Sequence, residues 1–174
     1  MFETETWPEE GRPVIEVVAP AVAVHAAPRF DAPIVSTLQV PPNTTLNFDS
    51  TRFQTLRPGA VTAIRDAEVT GRDLGSIEYL GWDAYYRGSY PKTSVPVAAG
   101  AQFEYLQYRA EGTCFVRIEG RVIDAALCPT YDTANFRVAG EPETVWWVRV
   151  ISDSGPVGWV QVSDTTAVDA RRTF

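Results

Sequence analysis

Few residues in this sequence belong to the types that carry out acid–base or nucleophilic chemistry. The chain has one histidine, His25, and two cysteines, Cys114 and Cys128. A cysteine or serine nucleophile usually needs a nearby base, most often histidine, and a zinc site needs three or four suitable ligands. His25 precedes Ala26-Ala27-Pro28 in a predicted strand, and we expect it to have no chemical role. The sequence therefore predicts no catalytic centre, no metal site and no cofactor.

Acidic residues are numerous, with 22 Asp and Glu against 15 Lys and Arg. A pair of carboxylates could act as the acid and base of a glycosidase. No spacing singles out one pair among Glu78, Asp83, Glu104, Glu111, Glu119 and Asp124. We predict that the protein is not an enzyme, and a small carboxylate-dependent cell-wall hydrolase stays open as an alternative.

The two cysteines are 14 positions apart, which suits one disulfide that closes a short loop. The alternative is a pair of buried free thiols. A disulfide would indicate an oxidising compartment, so a periplasmic or secreted protein is predicted and a cytoplasmic one is the alternative. Residues 1–10 are polar and acidic and contain no signal peptide. We expect that an exported protein would carry its leader outside this sequence.

Aromatic residues are the remaining candidates for function. The segment from Tyr79 to Tyr90 contains five of them in a loop-like stretch with two glycines. Trp and Tyr rings offer flat apolar area with a hydrogen-bonding edge, which suits sugar rings or peptides. An arginine beside them could pair with a peptide carboxylate. The predicted ligand-binding residues of this segment are Trp82, Tyr85, Tyr86, Arg87 and Tyr90. Alternatively, Tyr79, Trp82 and Tyr85 fill the core or an interface between barrels.

The elements that must position these residues are predicted to be β-strands. Thirteen prolines and 12 glycines separate short runs rich in Val, Thr, Ile and aromatic residues, a composition typical of strands. Many short strands with frequent turns indicate a small barrel or sandwich, so the predicted fold class is all-β. The strands are predicted at 14–18, 21–24, 34–40, 44–48, 59–69, 76–80, 103–108, 114–118, 121–125, 144–151 and 158–162.

Two hairpins can be read in detail. Glu119-Gly120 predicts a two-residue turn that places Val116 beside Ile123 and brings Cys128 just past the end of the strand paired with Cys114. The second hairpin runs from residue 145 to 160, with its turn around 153–156. Period-two alternation places Trp147 with Val145 on one face of its first strand, and Trp146, Val148 and Val150 on the other.

Charge and hydropathy exclude several classes of partner. The net charge of −7 argues against binding to nucleic-acid phosphates and against a polybasic membrane surface. The longest apolar run, Val17 to Val24, contains Pro20 and is too short to span a bilayer. We expect no nucleic-acid partner and no membrane insertion.

The opening and closing segments resemble the bacterial Src-homology-three-like (SH3-like) domains of cell-envelope proteins. Residues 22–38 resemble the opening strands and the loop with proline. Val145-Trp-Trp-Val-Arg-Val150 with Gly158-Trp-Val160 resembles the closing hairpin. The resemblance implies small barrels: an N-terminal tail over 1–13, a first barrel over 14–92 and a second over 93–174. The alternative is one barrel with residues 49–144 inserted.

The resemblance also implies a function. In eukaryotic relatives the tryptophan that matches Trp146 lines a groove for proline-rich peptides, which makes Trp146 a candidate ligand-binding residue. Their Pro-x-x-Tyr segment is replaced here by Gln161-Val-Ser-Asp164, which argues against polyproline recognition. The bacterial members imply binding to peptidoglycan or to an envelope protein. The predicted function is a non-catalytic envelope module that binds one of these through an aromatic surface, and a structural or oligomerising protein is the alternative.

Overall fold

The computed structural model describes residues 1–5, 12–153, 155–162 and 168–171. This part of the chain contains seventeen β-strands and one helix of six residues, so the predicted all-β class is confirmed. No helix in the described ranges is long and apolar enough to cross a membrane.

The chain divides into two compact units. Unit 1 consists of residues 1–3 and 54–144, and unit 2 consists of residues 4–53 and 145–174. The chain passes from one unit to the other three times, inside the strands Phe2–Thr4, Phe48–Arg57 and Glu143–Ser152, so each of these strands has residues in both units. This division differs from the two consecutive segments, 14–92 and 93–174, that the sequence predicted. In this division residues 54–144 lie in the chain between the two segments of unit 2, whereas the alternative from the sequence placed an inserted segment at residues 49–144.

Unit 1 is built on one antiparallel sheet of seven strands, ordered β10-β8-β13-β12-β11-β7-β14. Its outer strands β10 and β14 both contribute to one core cluster, through Val97 and Phe136, so the sheet curves around that cluster. The strands are β7 (Gly59–Ala63), β8 (Ala67–Gly75), β10 (Lys92–Val97), β11 (Gln102–Tyr108), β12 (Cys114–Ile118), β13 (Arg121–Ala125) and β14 (Phe136–Val138). The short strands β1 (Phe2–Thr4) and β9 (Tyr79–Leu80) are neighbours.

The β12–β13 hairpin forms with the predicted register. Val116 lies opposite Ile123 and Cys114 lies opposite Ala125. Glu119 and Gly120 both have positive φ angles, 50° and 79°, which is the backbone of a two-residue turn whose twist matches the flanking strands. The predicted strand 59–69 is instead two strands, β7 and β8, separated by a bend at residues 64–66.

Unit 2 contains two sheets that share one core. The first is ordered β4-β3-β16-β15-β6, and the second is ordered β17-β2-β5. Valines of β2, β3, β15, β16 and β17 meet in a single buried cluster. The strands are β2 (Val14–Val17), β3 (Val22–His25), β4 (Ile34–Leu38), β5 (Thr45–Leu46), β6 (Phe48–Arg57), β15 (Glu143–Ser152), β16 (Gly155–Val162) and β17 (Val168–Arg171).

The β15–β16 hairpin has the predicted two apolar faces. Val145, Trp147 and Trp159 form one small cluster, while Val148 and Val150 belong to the core of unit 2, against which Trp146 packs. The turn was predicted at 153–156, and its residue 154 lies outside the described residues.

Candidate functional site

The two cysteines form a disulfide inside unit 1. Cys114 in β12 is bonded to Cys128, and both are fully buried in the core cluster. The backbone N–H of Cys128 donates to the carbonyl of Gly112, and that of Tyr131 donates to the carbonyl of Cys128. The bridge therefore fastens the loop after β13 to the core, and the predicted pairing is confirmed.

The aromatic segment is not a loop throughout, because it contains the helix α1 (Trp82–Arg87). Gly81 precedes the helix, and the N–H of Gly88 donates to the carbonyl of Ala84 at its end. Asp83 in the first turn and Arg87 in the last turn have the charges that the helix dipole favours, and they form an ion pair at 3.6 Å. The helical spacing puts residues 82 and 86 on one face.

Trp82 and Tyr86 form an exposed pair, which we call the aromatic shelf. Their ring centroids are 4.3 Å apart, with the planes tilted by 45°. Trp82 is 38% exposed and Tyr86 is 59% exposed. Tyr79, three residues before the helix, is exposed as well. A short helix therefore presents two adjacent aromatic rings to solvent.

The other predicted residues of this segment have different roles. Tyr85 is only 2% exposed and packs in the second core cluster of unit 1 with Phe115, so its prediction as a ligand contact is corrected. Tyr85 precedes Tyr86 by one residue, so its side chain leaves the helix in a different direction from those of the shelf and points into the core. Tyr90 packs against the same cluster. Arg87 is exposed, but its charge is paired with Asp83.

Below the shelf, four side chains form what we call the Asp124 cluster: Arg72, Tyr85, Arg109 and Asp124. The guanidinium of Arg72 donates from Nε and Nη2 to Oδ2 of Asp124, at 3.1 and 2.7 Å. Nη2 of Arg72 also donates to the Tyr85 hydroxyl at 2.6 Å, and that hydroxyl donates to Oδ2 at 3.2 Å. Nε of Arg109 lies 3.5 Å from Oδ1 of Asp124.

The Asp124 cluster carries more positive than negative charge. One buried carboxylate faces two guanidinium groups, whose carbons lie 4.9 Å (Arg72) and 5.2 Å (Arg109) from the Tyr85 ring centroid. Burial and then the charge of Asp124 raise the pKa of Tyr85 to about 12, against the opposing effect of the two arginines. Burial lowers the pKa of Arg72, but the hydrogen bond and charge of Asp124 outweigh it, so that pKa is raised overall.

The sequence contains only a partial signal for this cluster. Asp124 was one of six acidic candidates, and nothing in its spacing pointed to Arg72 or Arg109. Arg72 meets Asp124 because β8 pairs with β13 and the two residues lie directly opposite each other. That pairing joins two residues that are 52 positions apart in the chain. Two of the other acidic candidates are also paired with arginine, Glu104 with Arg117 and Asp83 with Arg87.

Trp146 lies in unit 2, whereas all other predicted ligand-binding residues lie in unit 1. It is half-buried and packs against the core of unit 2, and its indole Nε1 is buried without a hydrogen-bond partner. The main contacts of the Trp146 ring are therefore with the core of unit 2. The structure thus brings Trp82, Tyr85 and Tyr86 together and leaves Trp146 in the other unit.

A groove of about 420 Å³ in unit 1 was not predicted. It lies beside the loop held by the disulfide, and its wall combines apolar side chains with threonines and one charge of each sign. The lining residues are Ile64, Pro129, Thr130, Thr133, Phe136, Arg137, Val138 and Glu141.

His25 and the acidic residues form no metal centre in the described ranges, where no group of three or more His, Cys, Asp or Glu side chains is arranged to hold an ion. The His25 ring packs edge-on against Trp147 at 5.2 Å, and its Nδ1 lies 3.2 Å from the carbonyl oxygen of Ala32. Comparison of the chain with protein-family models, curated proteins and solved structures finds no match.

Proposed function

We propose that the protein is a non-catalytic module of the bacterial cell envelope that binds peptidoglycan through the aromatic shelf of unit 1. The observation that carries the proposal is the exposed, mutually tilted pair of Trp82 and Tyr86 on α1. Adjacent exposed apolar side chains that form a contiguous patch mark binding surfaces in many soluble proteins. The flat faces of the two rings match the apolar faces of sugar rings, and the indole and phenol edges can hydrogen-bond to hydroxyl groups.

The Asp124 cluster supports a ligand that carries carboxylates. Two guanidinium groups share one carboxylate. Arg72 donates hydrogen bonds from Nε and Nη2, and Arg109 donates one from Nε to the hydroxyl of Thr113. The remaining N–H donors suit a carboxylate of a peptide stem. Through Tyr85, whose ring centroid lies 4.9 Å from that of Tyr86, the cluster is directly connected to the shelf. One glycan–peptide unit can therefore meet both surfaces.

The disulfide supports an exported location, because cysteine pairs persist in oxidising compartments such as the periplasm and the cell exterior. We propose further that unit 2 is a barrel of the SH3-like kind, since it holds both segments that resemble those domains, residues 22–38 and the β15–β16 hairpin. In this view unit 1 is an insertion that supplies the binding surface.

The test is a pull-down with purified sacculi, comparing the wild-type protein with the double variant Trp82→Ala/Tyr86→Ala. We expect the affinity to fall by about tenfold or more, because exposed aromatic anchors carry much of the energy of such interfaces. Tyr131→Ala is the matched control, since Tyr131 is 61% exposed in the same unit but lies outside the shelf. It should bind sacculi as the wild type does.

Two outcomes would contradict the proposal. Equal binding by the wild type and the double variant would show that the shelf does not bind sacculi. Loss of binding only in Trp146→Ala would show that the binding site lies in unit 2. Retention of an envelope protein instead of sacculi, lost in the double variant, would keep the shelf but replace the glycan with a protein partner.

A further inference from the structure

The groove beside the loop held by the disulfide follows β14, an outer strand of the unit 1 sheet. Its lining includes all three residues of this strand, Phe136, Arg137 and Val138. Side chains alternate along a strand, so Arg137 lies on the opposite face from the other two. Arg137 is indeed exposed, whereas Phe136 belongs to the core cluster and Val138 packs against it. A groove that contacts three consecutive residues therefore runs along the open edge of the strand.

The pairing of β14 with β7 is regular and contains no bulge. The register continues one residue beyond each end of the strand. At one end the N–H of Ile64 donates to the carbonyl of Asn135, and at the other the N–H of Ala139 donates to the carbonyl of Ala60. Hydrogen-bonded positions alternate along an antiparallel pair. Arg137, midway between Asn135 and Ala139, therefore directs its backbone N–H and carbonyl towards β7.

The backbone groups of Phe136 and Val138 point away from β7, towards the open edge. The N–H of Phe136 donates to the carbonyl of Asp132. The carbonyl of Phe136 and both the N–H and the carbonyl of Val138 have no hydrogen-bond partner among the described residues. One donor and two acceptors thus stand in a row, in the arrangement that an added strand uses.

Two charged side chains in the groove lining, Arg137 and Glu141, form no ion pair within the part of the chain that the structure describes. Glu141 follows β14 by three residues. The groove volume of about 420 Å³ lies in the range of sites that bind ligands. Short length and charge discourage unselective pairing at a sheet edge. Here the two charges also determine which chain can pair.

We propose that β14 binds an extended segment of a partner protein, which adds to the unit 1 sheet as an antiparallel strand. All pairs already in this sheet are antiparallel. One residue of the segment lies opposite Val138 and exchanges two hydrogen bonds with it. The residue two positions later donates its N–H to the carbonyl of Phe136. Both of these residues are apolar, because they share the face of Phe136 and Val138.

The charges of the segment follow from the same register. The residue between the two apolar ones lies opposite Arg137, in a non-hydrogen-bonded pair whose side chains are close. An acidic side chain there makes a favourable cross-strand pair with the guanidinium. A basic residue three positions before the partner of Val138 lies opposite Glu141. The segment therefore has the pattern basic, any, any, apolar, acidic, apolar.

The probe is the synthetic peptide Lys-Thr-Thr-Val-Glu-Val, with a fluorophore at its N-terminus and an amidated C-terminus. Fluorescence anisotropy measures its binding to the full chain, and the wild type is expected to bind it saturably. Methylation of the backbone nitrogen of either valine removes an N–H that bonds to β14, and should weaken binding by about tenfold or more. Methylation of the glutamate nitrogen is the matched control, because that N–H points away from β14, and it should leave the affinity nearly unchanged.

Two variants test the edge from the side of the protein. Arg137→Glu should weaken binding by about fivefold or more, and a peptide with lysine in place of glutamate should recover it. Lys92→Glu makes the same kind of charge change on the other outer strand, β10, and should bind as the wild type does. Val138→Pro should abolish binding, because it removes the outward N–H. Proline is tolerated at such edge positions, and circular dichroism checks that the variant folds.

A wild-type chain that does not bind the probe would overturn the proposal. So would equal losses from methylation at the valine and glutamate nitrogens, unchanged binding by Val138→Pro, or an Arg137→Glu variant that still prefers the glutamate peptide. The shelf variant Trp82→Ala/Tyr86→Ala should bind the probe as the wild type does. Failure of this proposal is therefore distinguishable from failure of the shelf to bind peptidoglycan.

Discussion

The hydroxyl of Tyr85 is buried, and its protonation state affects the stability of the folded protein. It accepts a hydrogen bond from Arg72 and donates one to the buried carboxylate of Asp124. Its neutral form is favoured because ionisation would place a second negative charge in a buried site beside Asp124. The two nearby arginines reduce this effect without cancelling it, and the pKa of Tyr85 is raised to about 12.

This shift predicts a loss of stability at alkaline pH. The folded-state pKa lies above the ordinary value of 10.0, so the stabilisation is fully present below about pH 10 and is lost as the pH rises towards 12. A shift of this size corresponds to the order of 2–3 kcal/mol. Urea unfolding measured from pH 8 to pH 12 should show a smaller loss for Tyr85→Phe than for the wild type.

Tyr85→Phe should also lower the free energy of unfolding at neutral pH by about 1 kcal/mol, because it removes one acceptor and one donor from a buried network. Tyr105, whose pKa is raised chiefly by burial, is present in both proteins and accounts for a shared alkaline loss. Identical pH dependence in the wild type and the variant would contradict the role assigned to Tyr85.

Among the elements, the β12–β13 hairpin and the loop behind it depend on the disulfide. Cys114 lies within β12, and Cys128 follows β13 by three residues. Because both residues are buried in the core of unit 1, the bridge fixes the loop that also forms the wall of the groove. A cross-link of this span mainly limits the freedom of the unfolded chain.

The double variant Cys114→Ala/Cys128→Ala should therefore lose about 3 kcal/mol in the free energy of unfolding, measured by urea denaturation.

In the native wild-type protein neither cysteine should react with a thiol reagent, even when reductant is present, because both sulfurs are shielded. Labelling should require unfolding and reduction together. Labelling after unfolding alone would contradict the bridge and remove the main support for an exported location.

In the chain, the main segment of unit 1 lies between the two segments of unit 2. This order determines which fragments of the chain can fold. Division between residues 92 and 93 would separate β8 from both of its neighbours, β10 and β13. The core cluster of unit 1 would be divided as well, since Val69 and Val97 both belong to it. Unit 2 would lose β15 and β16 from its sheet.

Fragments 1–92 and 93–174 should therefore show no cooperative unfolding. A chain in which residues 12–53 and 145–174 are joined by a short glycine-containing linker should fold, because β6 and β15 are neighbours in the sheet and need only a turn between them. Circular dichroism and thermal unfolding of the three proteins distinguish the two organisations. Cooperative unfolding of 93–174 would contradict the nested arrangement.

Local patterns were sufficient for the all-β class, the register of the β12–β13 hairpin, the two faces of β15, and the disulfide. Each of these depends on residues close together in the chain: the Glu119-Gly120 turn, the alternation from Val145 to Val150, and two cysteines at either end of one hairpin. Short-range turn geometry and side-chain alternation are fixed by backbone stereochemistry, so they can be read without knowing the rest of the fold.

The nested units, the inward position of Tyr85 and the Asp124 cluster required the folded chain. Arg72 and Asp124 meet because β8 pairs with β13, and no local pattern encodes a pairing between strands that distant. The segment around α1 looked like a loop because Gly81 and Gly88 bracket only six helical residues, too few to show a period. Packing against Phe115 and its neighbours stabilises that turn of helix, and packing separates the exposed Trp82 and Tyr86 from the buried Tyr85.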